Sequence, residues 1–165
     1  MGRTDWLGSA ELRVGLGCMR LSTDADRDEE RALATVAAAV DAGISVFDTA
    51  RAYGLDEGDA GHNERLLARA LRRSGAAGRA RIVTKGGMAR DGGRWLPDGR
   101  ASRLRADCEA SLVALDGLPI DLYLVPVGVG GEAHAAESDA QLRGSEPVRP
   151  AHAASLVRRP RRVSG

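Results

Sequence analysis

The feature that most constrains the fold of this chain is an alternation of short apolar runs with helix-forming segments. Four apolar runs, which we predict to be strands, occupy residues 12–17, 44–47, 81–84 and 120–125. Between them, apolar residues recur at the three- and four-residue spacing of an amphipathic helix. Such an alternation places the strands parallel in one sheet with helices packed against it. We therefore predict an α/β fold with the order β-α-β-α-β-α-β.

Local signals predict where the helices begin and end. Asp26 and Glu29 have the spacing of a capping box before the first helix, and Gly43 is placed to end it. Asn63 is the predicted N-cap of the second helix and Ser102 that of the third. The predicted apolar face of the third helix consists of Leu104, Cys108, Leu112 and Leu115. Residues 86–100, between the third strand and the third helix, are predicted to be a long glycine-rich loop.

Composition excludes several classes of function. A net charge of +1 and a pI near 7.9 do not favour a nucleic-acid or membrane partner. The chain has no apolar run long enough for a transmembrane helix and no apolar N-terminal leader, so we expect a cytoplasmic protein. Cys18 and Cys108 are far apart, so we expect neither a disulfide nor a metal site.

Three polar side chains follow the ends of predicted strands. Asp48 follows the second strand, Tyr53 lies five residues later, and Lys85 follows the third strand. The carboxyl ends of parallel strands meet at one edge of a sheet, where active sites of such folds lie. We therefore expect these three side chains to form one cluster.

This set of groups suits carbonyl reduction. Hydride transfer to a carbonyl carbon leaves negative charge on oxygen, so a proton donor is needed. A phenol has a pKa of about 10, and a neighbouring ammonium lowers such a pKa. A carboxylate beside the lysine keeps the lysine charged and in place.

The chain resembles the aldo-keto reductase family at several motifs that occur in the family's order. They are Gly15-Leu16-Gly17-Cys18-Met19-Arg20-Leu21, Asp48-Thr49-Ala50, Tyr53-Gly54, Asn63-Glu64, Val83-Thr84-Lys85, Glu109-Ala110-Ser111-Leu112 and Ile120-Asp121-Leu122-Tyr123-Leu124. The resemblance covers about three-quarters of the chain.

The resemblance implies a TIM-type (β/α)8 barrel that binds NADP(H) and reduces a small carbonyl substrate. It implies that Tyr53 is the general acid, Lys85 lowers its pKa, and Asp48 pairs with the lysine. It also implies cofactor binding by Asp48 and by the segment that contains Gly17, Met19 and Arg20, and it places Trp95 in a loop beside the substrate.

The chain also departs from the family's pattern. Pro126 stands where the family has a histidine after the fourth strand, and no βα pattern follows it. A whole barrel usually needs about 250 residues, so we predict a truncated barrel of about four βα units. We expect residues 1–125 to form this half and residues 126–165 to be an irregular, disordered tail. We hypothesise that the tail is translated out of frame, and we assign no role to its histidines.

Two alternative functions remain open. The first is an inactive remnant or a non-catalytic interaction module. The second is a Rossmann-type module that uses Gly15, Gly17 and Asp48, although Arg20 stands where that motif has its third glycine. In addition, an open half-barrel exposes strand edges through which the chain could self-associate.

Overall fold

A computed structural model of the chain describes residues 6–8, 11–91 and 94–125. The predictions for residues 126–165, including those for Pro126 and the tail, lie outside the described residues. In chain order, the elements are β1 (Gly15–Gly17), α1 (Arg20–Thr23), α2 (Glu29–Asp41), β2 (Val46–Asp48), a short 3-10 turn (Glu57–Asp59), α3 (His62–Arg73), β3 (Arg81–Lys85), β4 (Met88–Asp91), β5 (Arg94–Pro97), α4 (Ala101–Ala114) and β6 (Leu122–Leu124).

Within the described residues, the main sheet has four parallel strands in the order β1-β2-β3-β6. The four predicted strands and their parallel arrangement are therefore confirmed, although β1, β2 and β6 are shorter than their apolar runs and β3 extends one residue farther, to Lys85. In the described part of the chain the sheet is open and does not close into a barrel. The Rossmann alternative is wrong, because that fold places its first strand inside the sheet, whereas β1 pairs only with β2 among the described strands.

The core lies between one face of this sheet and the helices. Leu16, Phe47 and Ile82 are partners in register on adjacent strands, so their side chains share a face. Phe47 and Ile82 are almost fully buried, and they pack in one cluster with apolar residues of α2 and α3. The opposite face of the sheet is consequently free to carry polar residues at the strand ends.

The N-cap of the first long helix lies two residues later than predicted. Asp28, not Asp26, is the N-cap of α2, and its carboxylate accepts a hydrogen bond of 2.7 Å from the backbone N–H of Arg31. Glu29 is the first helical residue, where a negative charge interacts favourably with the positive end of the helix dipole. Gly43 follows this helix with a φ of +84°, as the sequence predicted.

The starts of α3 and α4 also differ from the predictions. Gly61 is the N-cap of α3, with a φ of +80°, and the predicted cap Asn63 lies inside the helix with its side chain buried. Arg100 precedes α4, and no side chain caps that helix, so the prediction for Ser102 is wrong. Leu112, assigned to the buried face, is 41% exposed.

The predicted loop over residues 86–100 contains an antiparallel hairpin. Its strands β4 and β5 pair from Met88 opposite Pro97 to Asp91 opposite Arg94. The sequence analysis did not predict this hairpin, because neither strand alternates between apolar and polar residues. The sequence of β4 is Met-Ala-Arg-Asp, and β5 is exposed throughout. No helix in the described residues is long and apolar enough to cross a membrane.

A buried carboxyl group joins α3 to the sheet. Glu64 is fully buried, and its Oε1 accepts a hydrogen bond of 2.6 Å from the hydroxyl of Thr84 on β3. Burial raises the pKa of Glu64 above its ordinary value, and the Thr84 hydrogen bond opposes that shift only in part. The folded protein therefore binds a proton at Glu64 more tightly than the unfolded chain does.

This linkage predicts the effect of Glu64→Gln on stability. Below the ordinary glutamate pKa, residue 64 is protonated in both the folded and the unfolded state, so the substitution should change the free energy of unfolding little. As pH rises, the unfolded chain releases this proton first, so the unsubstituted protein loses stability and the Glu64→Gln variant does not. We expect Glu64→Gln to stabilise the protein at neutral pH by about 1 kcal/mol or more, since a buried charged group costs at least that. Urea unfolding at neutral and acidic pH measures the difference. Glu109→Gln, at an exposed position of α4, is the matched control, and an equal gain in both variants would contradict this account.

Candidate active site

Lys85, the last residue of β3, is at the centre of the candidate site. Its ammonium group donates hydrogen bonds to the carboxylate of Asp48 and to the backbone carbonyl of Thr49, the latter at 3.0 Å. Asp48 ends β2, the strand next to β3, so the parallel sheet itself brings the two charges together. The side chains of Lys85 and Asp48 are 26% and 44% exposed, so the pair remains accessible from water.

Tyr53 lies above this ion pair. A turn in which the backbone N–H of Tyr53 donates to the carbonyl of Ala50 at 3.1 Å returns the chain toward the sheet. The Lys85 Nζ is 5.1 Å from the centre of the Tyr53 ring, within the range of a cation–π contact. The structure thus brings together all three side chains that the sequence singled out.

The hairpin covers the other side of the tyrosine. The rings of Trp95 and Tyr53 are 6.4 Å apart between centroids and meet edge to face at 89°. The guanidinium of Arg90 lies 4.2 Å from the centre of the Trp95 ring and donates a hydrogen bond of 2.8 Å to the carbonyl of Leu55. The hairpin is therefore attached to the tyrosine loop by both an aromatic and a polar contact.

The predicted cofactor-binding residues divide into two groups. Gly17 ends β1 directly opposite Asp48, and a side chain there would meet no atom within 4 Å, so this backbone faces open space beside the ion pair. Met19 is 44% exposed two residues farther along. The side chain of Arg20 does not join the cluster, because it is 80% exposed and pairs with Asp24 at 3.0 Å.

A buried polar cluster fixes the segment after β1. Asn63 accepts a hydrogen bond of 2.6 Å from the hydroxyl of Thr49 and donates bonds of 2.8 Å to the carbonyl of Cys18 and to the hydroxyl of Ser22. The sequence analysis missed this role because it assigned Asn63 to a helix cap. Burial raises the pKa of the Cys18 thiol to about 12, so this cysteine is not an activated nucleophile.

One compositional signal would have singled out Lys85 directly. Of the 24 lysine and arginine residues in the sequence, Lys85 is the only lysine. An ammonium is a compact charge with three rotatable donors, whereas a guanidinium is a wide planar group. The only lysine side chain therefore lies where a compact charge contacts both a carboxylate and an aromatic ring.

Among the described residues, no three His, Cys, Asp or Glu side chains are grouped so that they could hold a metal ion. The candidate site consists of the Lys85–Asp48 ion pair and the Tyr53 phenol at the carboxyl edge of a parallel sheet.

The family model for the aldo/keto reductase family matches residues 13–126, more than half of the chain. The chain belongs to the aldo/keto reductase family. The family resemblance and the barrel-type α/β fold expected from the sequence are confirmed.

Solved structures of this family show the same fold. A protein from Pseudomonas aeruginosa assigned to the aldo-keto reductases is 30% identical, with a TM-score of 0.62 over 78% of this chain. The aldo-keto reductase AKR11C1 from Bacillus halodurans is 27% identical and the glycerol dehydrogenase AKR11B4 from Gluconobacter oxydans 28% identical, each with a TM-score of 0.59 over 79% of this chain. The match covers only 49%, 41% and 41% of these three chains, respectively. The chain therefore spans half or less of the length of the aldo-keto reductases it matches.

Proposed function

We propose that this chain carries part of the active site of an NADP(H)-dependent reductase that converts an aldehyde or ketone to an alcohol. The observation that carries the proposal is the position of the Lys85 ammonium, bonded to Asp48 and 5.1 Å from the Tyr53 ring. Family membership supports an oxidoreductase, and the reactive groups at this edge supply the proton that carbonyl reduction requires.

Each of the three side chains has a separate task in this proposal. Tyr53 donates its phenolic proton to the carbonyl oxygen as negative charge develops there. Lys85 stabilises the phenolate that remains, and Asp48 keeps the ammonium charged and oriented. A general acid positioned in this way contributes roughly 10²- to 10⁴-fold to the rate.

The open backbone at Gly17 fits a flat cofactor ring. A side chain added at Gly17 would meet no atom within 4 Å, and the glycine lies in register with Asp48. A nicotinamide bound here would supply the hydride, while Gly17, Met19 and Asp48 would form its floor. Arg20, at 80% side-chain exposure, would serve only at the periphery, toward a phosphate of the cofactor.

We propose that the 165-residue chain on its own reduces carbonyl compounds poorly or not at all. The chain matches half or less of the length of its solved relatives, and Pro126 occupies the position where the family resemblance expects a histidine. A half-open site admits water and does not hold a substrate in register with the proton donor. The alternative of an inactive remnant or interaction module predicts the same low rate but no cofactor binding.

Two measurements on the intact chain separate these outcomes. NADPH oxidation with a panel of small aldehydes and ketones should remain near the uncatalysed rate. Saturable quenching of Trp95 and Trp6 fluorescence by NADPH should nevertheless occur, since Gly17 and Asp48 are in place. Tyr53→Phe, which keeps the ring against Trp95, should leave that quenching unchanged.

Robust turnover that Tyr53→Phe abolishes would overturn the proposed incompleteness and support the catalytic roles. Absence of any NADPH response would favour the interaction module. NADH serves as the parallel titrant, because it lacks the 2′-phosphate of NADPH. If that phosphate binds next to Arg20, NADPH should bind more tightly than NADH.

We also propose that the chain self-associates through β1 and β6, the two edge strands of the sheet, each of which pairs with only one other strand among the described residues. Val14 is 61% exposed just before β1, and Leu124 and Val125 are 37% and 43% exposed at β6, the other edge. Unpaired edges with apolar neighbours favour pairing with a second chain. Sedimentation velocity over a range of concentrations should show association that Val14→Lys and Leu124→Lys weaken; a monomer at every concentration would contradict this proposal.

A cytoplasmic location belongs to the same proposal. Both cysteines are free thiols, Cys18 buried and Cys108 partly buried, and free thiols persist in a reducing compartment.

A further inference from the structure

One buried carboxylate outside the site contacts both loops that form it. Asp107 on α4 is 3% exposed. Its Oδ1 accepts hydrogen bonds from the Nε of Arg51 at 3.2 Å and from the Nε of Arg103 at 3.0 Å, and its Oδ2 accepts one from the backbone N–H of Gly87 at 2.9 Å. A buried carboxylate costs free energy unless its oxygens have hydrogen-bond partners, and these three donors provide them.

Two of these partners flank the proposed catalytic residues. Arg51 lies two residues before Tyr53, and Gly87 lies two residues after Lys85. The backbone of Arg51 also bonds the ends of two elements: its N–H donates to the carbonyl of Lys85 at 3.2 Å, and its carbonyl accepts from the N–H of Gly61 at 2.7 Å. A single side chain on α4 therefore holds the loop of the phenol and the loop of the ammonium against each other.

The packing at Gly86 leaves little freedom for this arrangement. A Cβ added at Gly86 would overlap the hydroxyl group of Tyr123 and would lie 2.9 Å from the Cβ of Asp107. Gly87 has a φ of +75°, which a residue with a side chain rarely adopts. The turn after Lys85 is thus built directly on Asp107, and the carbonyl of Gly87 then bonds the N–H of Asp98 at 2.8 Å, at the base of the hairpin.

We propose that Asp107 is a positioning residue that sets the separation of Tyr53 and Lys85. The catalytic meaning of this separation rests on the proposed function, but the separation itself does not. A merely structural role would require only that the buried charge be neutralised, and Arg103, four residues earlier on the same helix, already provides a guanidinium for that purpose. The bond to Arg51 adds a connection between α4 and the tyrosine loop.

The two arginines form a natural matched pair for the test. Arg51→Met and Arg103→Met each remove one guanidinium from the same oxygen of the same carboxylate. Arg51 belongs to the loop of Tyr53, whereas Arg103 belongs to the helix that carries Asp107. If Asp107 acts through the loop, only Arg51→Met should change the site.

The readout is the relation between the two side chains in solution. The chain has one lysine and two tyrosines, so the nuclear Overhauser effect between the Tyr53 ring protons and the Lys85 methylene beside the ammonium can be assigned. We expect Arg51→Met to abolish or strongly reduce this effect and to speed amide exchange at Gly61 about ten-fold, as local opening does. Arg103→Met should leave both unchanged.

Asp107→Asn is the third variant, and it should also speed amide exchange at Gly87. Urea unfolding of all three variants separates local release from a general loss of stability. Equal effects of Arg51→Met and Arg103→Met, or an unchanged Tyr53–Lys85 contact in Arg51→Met, would overturn the proposal even if Asp107→Asn does not fold. No cofactor or substrate is used, so this result is independent of whether the chain reduces carbonyl compounds.

Discussion

The parallel hydrogen-bond ladder between β2 and β3 is the interaction on which the rest of the structure depends. It places Asp48 beside Val83 in register and continues beyond the strands, where Thr49 donates to the carbonyl of Val83 and Arg51 to that of Lys85. Because backbone groups define these positions, the loop after Asp48 begins at a fixed height over the sheet. The ammonium of Lys85 can then reach the Asp48 carboxylate without displacing either strand.

The sequence predicted those parts of the fold that depend on patterns within one segment. Short apolar runs indicated the strands, and polar residues directly after them indicated the cluster of Asp48, Tyr53 and Lys85. The prediction did not extend to contacts between segments. Asn63 was assigned to a helix cap, because its bonds to Thr49 and Cys18 join residues 14 and 45 positions away. The role of Asp107 was missed for the same reason, since two of its partners, Arg51 and Gly87, lie on loops that only the folded chain brings together.

Asp107 and Asp48, the two acidic residues near the site, differ in burial and therefore in what they contribute. Asp107 is buried and accepts hydrogen bonds from two guanidinium groups and one backbone N–H, so the loss of one donor leaves part of its carboxylate without a partner away from water. Asp48 remains 44% exposed on its side chain, and its pairing with Lys85 is screened by solvent. The interior carboxylate therefore holds the geometry, while the exposed one stays free to respond to a bound ligand. Phe47, the neighbour of Asp48 in β2, belongs to the hydrophobic core on the opposite face of the sheet.

The order of the strands has a consequence for how the chain acquires its structure. Each strand of the main sheet pairs with the one made immediately before it in that sheet, at separations of about 30 to 40 residues along the chain. No strand must wait for a distant partner, so assembly can proceed in the direction of synthesis, one βα unit at a time. A chain emerging from the ribosome can therefore complete the ion pair of Asp48 and Lys85 as soon as β3 has docked, before β6 is available.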